Sequence, residues 1–187
     1  MLHVNKSDPT LVSTDRPQIF DRNSPPNPTN ARGQAETEFL NLSIDGHETV
    51  VLNLAGLFGG ERLVRNWIAR VADDKEALRK KGGVHLIHGD DVSHCIVRLV
   101  QDLDLLPKPD SSSARRFIIC DTRVYDWWDL ASSLPLDPEA ESRRWVRELM
   151  REESEPVLPR PTGRLGRVLD ARDFWEIWGI SPRRRIE

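Results

Sequence analysis

Cysteine is scarce in this 187-residue chain: Cys95 and Cys120 are the two present. Two thiols cannot make a disulfide framework, nor complete a structural zinc site by themselves. Both stand in apolar surroundings, as small buried hydrophobes in a reducing compartment do, so a cytoplasmic location is expected. Long hydrophobic runs are missing too. No apolar stretch reaches the ~20 residues that a membrane-crossing helix needs. The start, MLHVNKSDPT, has no basic segment leading into an apolar one, so no signal peptide is read. Neither sign of charge dominates: 27 Lys and Arg stand against 30 Asp and Glu, a formal net charge of -3. This predicts no broad attraction to nucleic acid or to an anionic membrane. Tyrosine occurs once, at Tyr125. Ser13, Ser93 and Ser142 lack a Gly-x-Ser-x-Gly setting, and neither cysteine lies in a recognisable catalytic motif, so no nucleophile stands out.

The apolar fraction of 38% is lean beside 30% charged residues, and the mean hydropathy is -0.52. That composition belongs to a soluble globular protein with more solvated surface than usual. Residues 1–29 read as an irregular lead, since Pro9, Pro17, Pro25, Pro26 and Pro28 interrupt any period, with Thr10 to Ser13 a strand end at most. Asn30 to Leu42 supports a helix with Ala31, Ala35, Phe39 and Leu42 on one side. The apolar run from Thr49 to Gly60, TVVLNLAGLFGG, marks a strand buried on both faces, as in a parallel sheet. A helix through Leu63, Val64, Trp67, Ile68 and Val71 follows. After the charged turn DDKEALRKKGG comes a strand, VHLIH. A helix opened by Asp90 or Asp91 then lines up Val92, Cys95, Ile96, Leu99, Val100 and Leu103. RFIICD is a third buried strand. Strand and helix thus alternate through residues 30–121, the grammar of a βαβ domain with parallel strands. Residues 122–187 change character. Asp137-Pro138-Glu139 predicts the start of a helix through Trp145, Leu149 and Met150. A Pro-rich link, EPVLPRPTGRLG, leads to a last helix, Asp170 to Trp178, closed by Gly179.

Three groups of residues invite a functional reading. Gly56-x-x-Gly59-Gly60 lies between strand and helix, where backbone N–H groups can cradle a phosphate. A dinucleotide fingerprint, however, places its third glycine differently, and a tight turn with close packing accounts for the spacing better. His85, His88, Asp90, Asp91 and His94 resemble a metal cluster. His85 and His88 nevertheless alternate across one strand and an aspartate is needed as cap, so structural roles and no metal are expected. Trp127 and Trp128 are adjacent, and one of them is expected to line a pocket or a partner surface. The run Arg183 to Arg185 reads as a solvated tail rather than as a nuclear signal or a nucleic-acid contact.

The stretches PPNPTNARGQAETEFL, LAGLFGGER, HLIHGDDVSHCI and RVLDARDFWEIWGISP together resemble the NAD-dependent epimerase/dehydratase branch of the short-chain dehydrogenase/reductase superfamily, its atypical members above all. The likeness runs from about Val12 to Pro182. It implies an incomplete Rossmann-like parallel sheet whose N-terminal half, with the Gly-x-x-Gly-x-x-Gly loop for NAD(P), is missing, together with a small C-terminal substrate-region annex. Ser13 or Thr14 falls at the family's catalytic Ser/Thr. Counting back from Glu36, Arg32 takes the place of the lysine and Pro28 that of the tyrosine in Tyr-x-x-x-Lys. In active members the lysine lowers the tyrosine pKa so that a phenolate can exchange a proton. Proline has none to give, so no catalytic residue is carried over. Ala55 and Gly56 match positions beside the nicotinamide, and Gly59 and Arg62 match the turn into the substrate region. The resemblance therefore implies a truncated or degenerate, catalytically silent relative that does not bind NAD(P) alone. Two alternatives differ in class. One is an interaction module using an exposed sheet edge, through which the chain self-associates, or the Trp127/Trp128 surface. The other is an active oxidoreductase whose N-terminal half lies elsewhere.

Overall fold

The computed structural model describes residues 17–42, 48–108 and 115–186; the readings of Thr10 to Ser13 and of Thr14 fall outside them. Strand β1 (Gln18–Phe20) follows the first of these limits and pairs in parallel with β8 (Arg167–Leu169). Helix α1 (Ala31–Leu40) starts where the sequence places it, because the Asn30 side chain accepts the Arg32 N–H at 3.0 Å. Its expected apolar side is not buried: Phe39 stays 45% exposed and Leu42 54%. What fixes α1 is polar. Glu36 meets Asn53 and Arg116, and the Arg116 guanidinium also donates to the Thr37 hydroxyl.

The apolar run after Thr49 forms two strands that serve two neighbours in turn. β2 (Val51–Leu54) pairs in parallel with β6 (Arg116–Ile119), and β3 (Gly56–Phe58) pairs in parallel with β5 (Leu86–His88). The break at Ala55 is where the chain passes from one partner to the other, its N–H donating to Ile119 and that of Gly56 to His85. Leu86 and Ile87 point to opposite faces of β5 and enter different cores. The Leu86 core includes Phe58, Val64, Ile68, Leu78, Trp128 and Leu149. The Ile87 core includes Cys95, Phe117, Ile119, Phe174 and Trp178. Both draw on residues before and after Asp121.

A tight 3-10 turn, Val64–Trp67, leads into α2 (Ile68–Val71). The charged stretch read as a turn holds a short helix, α3 (Lys75–Arg79), because the Asp74 side chain caps it through the Ala77 N–H. The predicted strand VHLIH is interrupted at His85: β4 (Gly83–Val84) runs antiparallel to β7 (Tyr125–Asp126), and β5 follows. Helix α4 (Gly89–Gln101) is capped by His88 rather than by an aspartate. Helix α5 (Trp127–Ser133) has no counterpart in the sequence reading. It corrects the expectation for the tryptophan pair, since Trp127 is 8% exposed and Trp128 0%. On a helix, successive side chains diverge by about 100° rather than by the 180° of a strand, so two neighbours can share a buried face. The Trp128 indole N–H donates to the Leu78 carbonyl at 2.9 Å. Helix α6 (Glu141–Glu152) opens later than expected, because the Asp137 side chain accepts the Glu139 N–H and closes a local turn instead. Helix α7 (Arg172–Ile177) lies within the predicted span, and Gly179 beyond it has φ 58.

The Pro-rich link is not loose. Arg160 is buried and wraps the Asp126 carboxylate with its backbone N–H (2.9 Å), its Nε (3.0 Å) and a terminal nitrogen (2.7 Å). The guanidinium lies 3.9 Å from the centre of the Trp128 ring and donates to the Lys81 carbonyl. Asp126 also caps α5 through the Trp128 N–H. The architecture is thus mixed α/β with small parallel sheets. No helix among the described residues is long and apolar enough to cross a membrane.

Candidate functional site

The position that the resemblance equates with Tyr-x-x-x-Lys is ordered and occupied by other interactions. The Pro28 carbonyl accepts from the Gln34 side chain at 2.8 Å, and the Arg32 guanidinium pairs with Glu36 at 2.9 Å, one helical turn on. Pro26, Asn27, Asn30, Arg32, Gly33, Glu36 and Asn53 leave only a shallow dent there. Tyr125 is remote from it in the chain and is also engaged. Its hydroxyl donates to Asp121 at 2.5 Å, and burial together with that bond pushes its pKa up. Asp121 is itself pushed up by burial.

Ala55 and Gly56 lie at the crossing between β2 and β3. A Cβ on Gly56 would come within 2.7 Å of Leu86 Cδ2 and 3.2 Å of the Trp67 ring. Among the described residues, what this glycine admits is protein. The two thiols are equally internal, with burial pushing both Cys95 and Cys120 up to about 12. They are inert by the usual criteria of thiol reactivity.

Each member of the His/Asp cluster has a specific protein partner. The His85 Nε2 accepts the Leu169 N–H at 3.0 Å, which joins β8 to the start of β5. The His88 Nδ1 accepts the Asp90 N–H at 3.0 Å, so Nε2 carries the ring's proton. Asp90 pairs with Arg184 at 2.8 Å. The buried Asp91 carboxylate accepts the backbone N–H groups of Arg183 and Arg184, each at 3.0 Å. His94 meets the Arg183 side chain at 3.1 Å. These contacts revise the reading of Arg183 to Arg185 as a merely solvated tail: its backbone is docked on the first turn of α4 while its side chains stay exposed.

That docking forms one wall of an open cavity of about 270 Å³ over the ends of β3 and β5. Its walls are Phe58, Leu63, Val64, Leu134 and Ile186; its polar lining is Gly59, Gly60, Arg65, His88, Arg184 and Arg185. Gly59 has φ 115, and any Cβ there would collide with the His88 ring, so glycine is required beside that imidazole. Gly59 and Arg62 exchange backbone hydrogen bonds at 3.3 and 3.0 Å, but the Arg62 side chain is exposed and does not line the cavity. Of the two residues assigned to the substrate turn, the structure brings Gly59 to the cavity and not Arg62. Sequence reasoning missed Arg65, Leu134 and the tail arginines. Arg65 could have been found from its place just past the double glycine. Leu134 comes from a distant segment with no local signal, and the arginine run, though visible, reads from sequence as a solvated tail.

No protein-family model matches the chain, and no curated protein does either. Among solved structures, the chain is similar to a protein from Methylobacillus flagellatus whose name places it with the NAD-dependent epimerase/dehydratases. The TM-score is 0.50 and the identity 16%, over 86% of this chain and 51% of that one. It is also similar to a functionally unknown conserved protein from Silicibacter pomeroyi, with a TM-score of 0.52 and 17% identity, over 93% of this chain and 58% of that one. The chain thus spans little more than half the length of these structures. At such identities the likeness is one of fold alone.

Proposed function

We propose that this chain is a degenerate, catalytically silent relative of the NAD-dependent epimerase/dehydratases, corresponding to their C-terminal, substrate-side portion. The observation that carries this reading is the Arg32–Glu36 ion pair beside Pro28. Hydride transfer coupled to a phenol needs a tyrosine whose pKa is lowered by a neighbouring cation. Here the cation at the lysine position is paired to a carboxylate and the tyrosine position holds proline. The single tyrosine, Tyr125, is shifted in the opposite direction. NAD(P) belongs to the family's chemistry, and on this reading the chain alone does not take it up. Titration calorimetry with NADH and NADPH tests the assignment. No saturable heat is expected at micromolar concentrations, and tight one-to-one binding would overturn it.

A second reading has an observation of its own. Ile96, Val97 and Val100 on α4 are about half exposed, which favours a module that meets another protein surface through α4 and the open strand edges. The Trp127/Trp128 version of that reading is withdrawn, because both rings are buried.

A further inference from the structure

We infer that the cavity walled by residues 184–186 is a binding site for a small phosphate monoester with an apolar body. Among the described residues its lining combines three arginines and a histidine with no carboxylate, in a chain whose net charge is -3. The three guanidinium groups are exposed to solvent, so their mutual repulsion is small and they can stand together at the rim of the cavity. Arg184 is offset by Asp90 at 2.8 Å. Arg65 and Arg185 have no carboxylate at ion-pair distance among the described residues. Among the described residues the site therefore holds two guanidinium groups without an ion-pair partner, and a guanidinium matches phosphate oxygens through paired N–H donors.

His88 also lines the cavity. Capping α4 commits its Nδ1 as acceptor, so Nε2 carries the ring's proton, and Gly59 packs against the ring where any Cβ would collide. The opposite side of the cavity is apolar, from Phe58, Leu63, Val64, Leu134 and Ile186. An inorganic ion would leave those walls wet, and an uncharged aromatic would leave the guanidinium groups unanswered. A volume of about 270 Å³ lies at the small end of ligand pockets, which fits one ring and one phosphate better than a dinucleotide.

The test is calorimetric titration of the whole chain with phenyl phosphate, inorganic phosphate and benzyl alcohol at fixed salt. Phenyl phosphate is expected to saturate one site per chain, with the other two probes at least tenfold weaker. Replacing both unpaired arginines (Arg65→Gln with Arg185→Gln) should weaken phenyl phosphate at least tenfold and leave the unfolding midpoint in place, since both side chains are exposed. A second variant, Leu134→Trp, fills the apolar side and should abolish binding with every charge retained. Absence of binding by phenyl phosphate, equal binding by benzyl alcohol, or full affinity in the double arginine variant would each overturn the site. The outcome is separable from that of the catalytic reading. NADH binding that survives the double arginine variant would remove the silent-relative assignment and leave this site standing.

Discussion

Asp126 and Arg160 show what a single pair of side chains can decide. Both are buried, and the carboxylate answers the guanidinium, the Arg160 N–H and the Trp128 N–H together. Removing one partner of such a pair leaves an uncompensated charge in a dry place, at a cost of about 3–5 kcal/mol. Asp126→Ala is therefore expected to lower the unfolding free energy by that amount in urea. Asp137→Ala, which loses one exposed turn bond, should stay under about 1 kcal/mol. Similar losses in the two variants would mean that the buried pair is not what holds the link. None of this was legible in the sequence. Arg160 sits among prolines 34 residues beyond its partner, and long-range ion pairs leave no periodic trace. The single tyrosine and the proline at position 28, by contrast, are local facts that the sequence states directly.

Elements were legible where a local rule acted alone. The Asn30 cap, the strand character of the run after Thr49 and a helix within Asp170 to Trp178 all appear, because cap chemistry and β-branched runs are decided within a few residues. Boundaries failed where tertiary contacts competed: the run splits at Ala55 to serve two partner strands, and VHLIH splits at His85. That second break makes His85 a joint between elements, since its Nε2 accepts the Leu169 N–H of β8. Burial lowers the pKa of this imidazole below its ordinary value. On acidification the unfolded chain then takes up the proton first, near pH 6.5. The unfolded state binds more protons, so stability falls as the pH drops below that point, by at most about 1.4 kcal/mol per pH unit. The loss continues until the folded imidazole also protonates. His85→Gln keeps an acceptor but removes the titration, so its unfolding free energy between pH 7.5 and 5.5 should decline less than that of the natural chain. Parallel declines would assign the acid sensitivity to other groups.

The whole molecule carries more apolar helix surface than its described residues cover. The sequence lined up Val92, Cys95, Ile96, Leu99, Val100 and Leu103 as one helix face; the first five lie on α4 and Leu103 in the 3-10 turn beyond it. Cys95 is fully buried and Val92 and Leu99 are partly so, but Ile96, Val97, Val100 and Leu103 remain 46–61% exposed. The pattern was read correctly as a helix; its width, broader than the surface this chain offers it, could not be seen without the neighbours. Each sheet has two strands, so every strand also has one edge without a ladder partner among the described residues. Exposed apolar stripes and open strand edges mark either a partner surface or a liability to associate. The gain from covering them is about 25 cal/mol per Å², so a few hundred Å² is comparable with much of the ~5–15 kcal/mol that stabilises a domain. The chain is accordingly expected to sediment above its monomer mass at tens of micromolar in analytical ultracentrifugation. Ile96→Glu with Val100→Glu should return it to monomer while changing the unfolding free energy by less than about 1 kcal/mol, because neither side chain is part of a core. If the natural chain already runs as a monomer at those concentrations and unfolds sharply, the α4 face is not a contact surface, and its width needs another explanation.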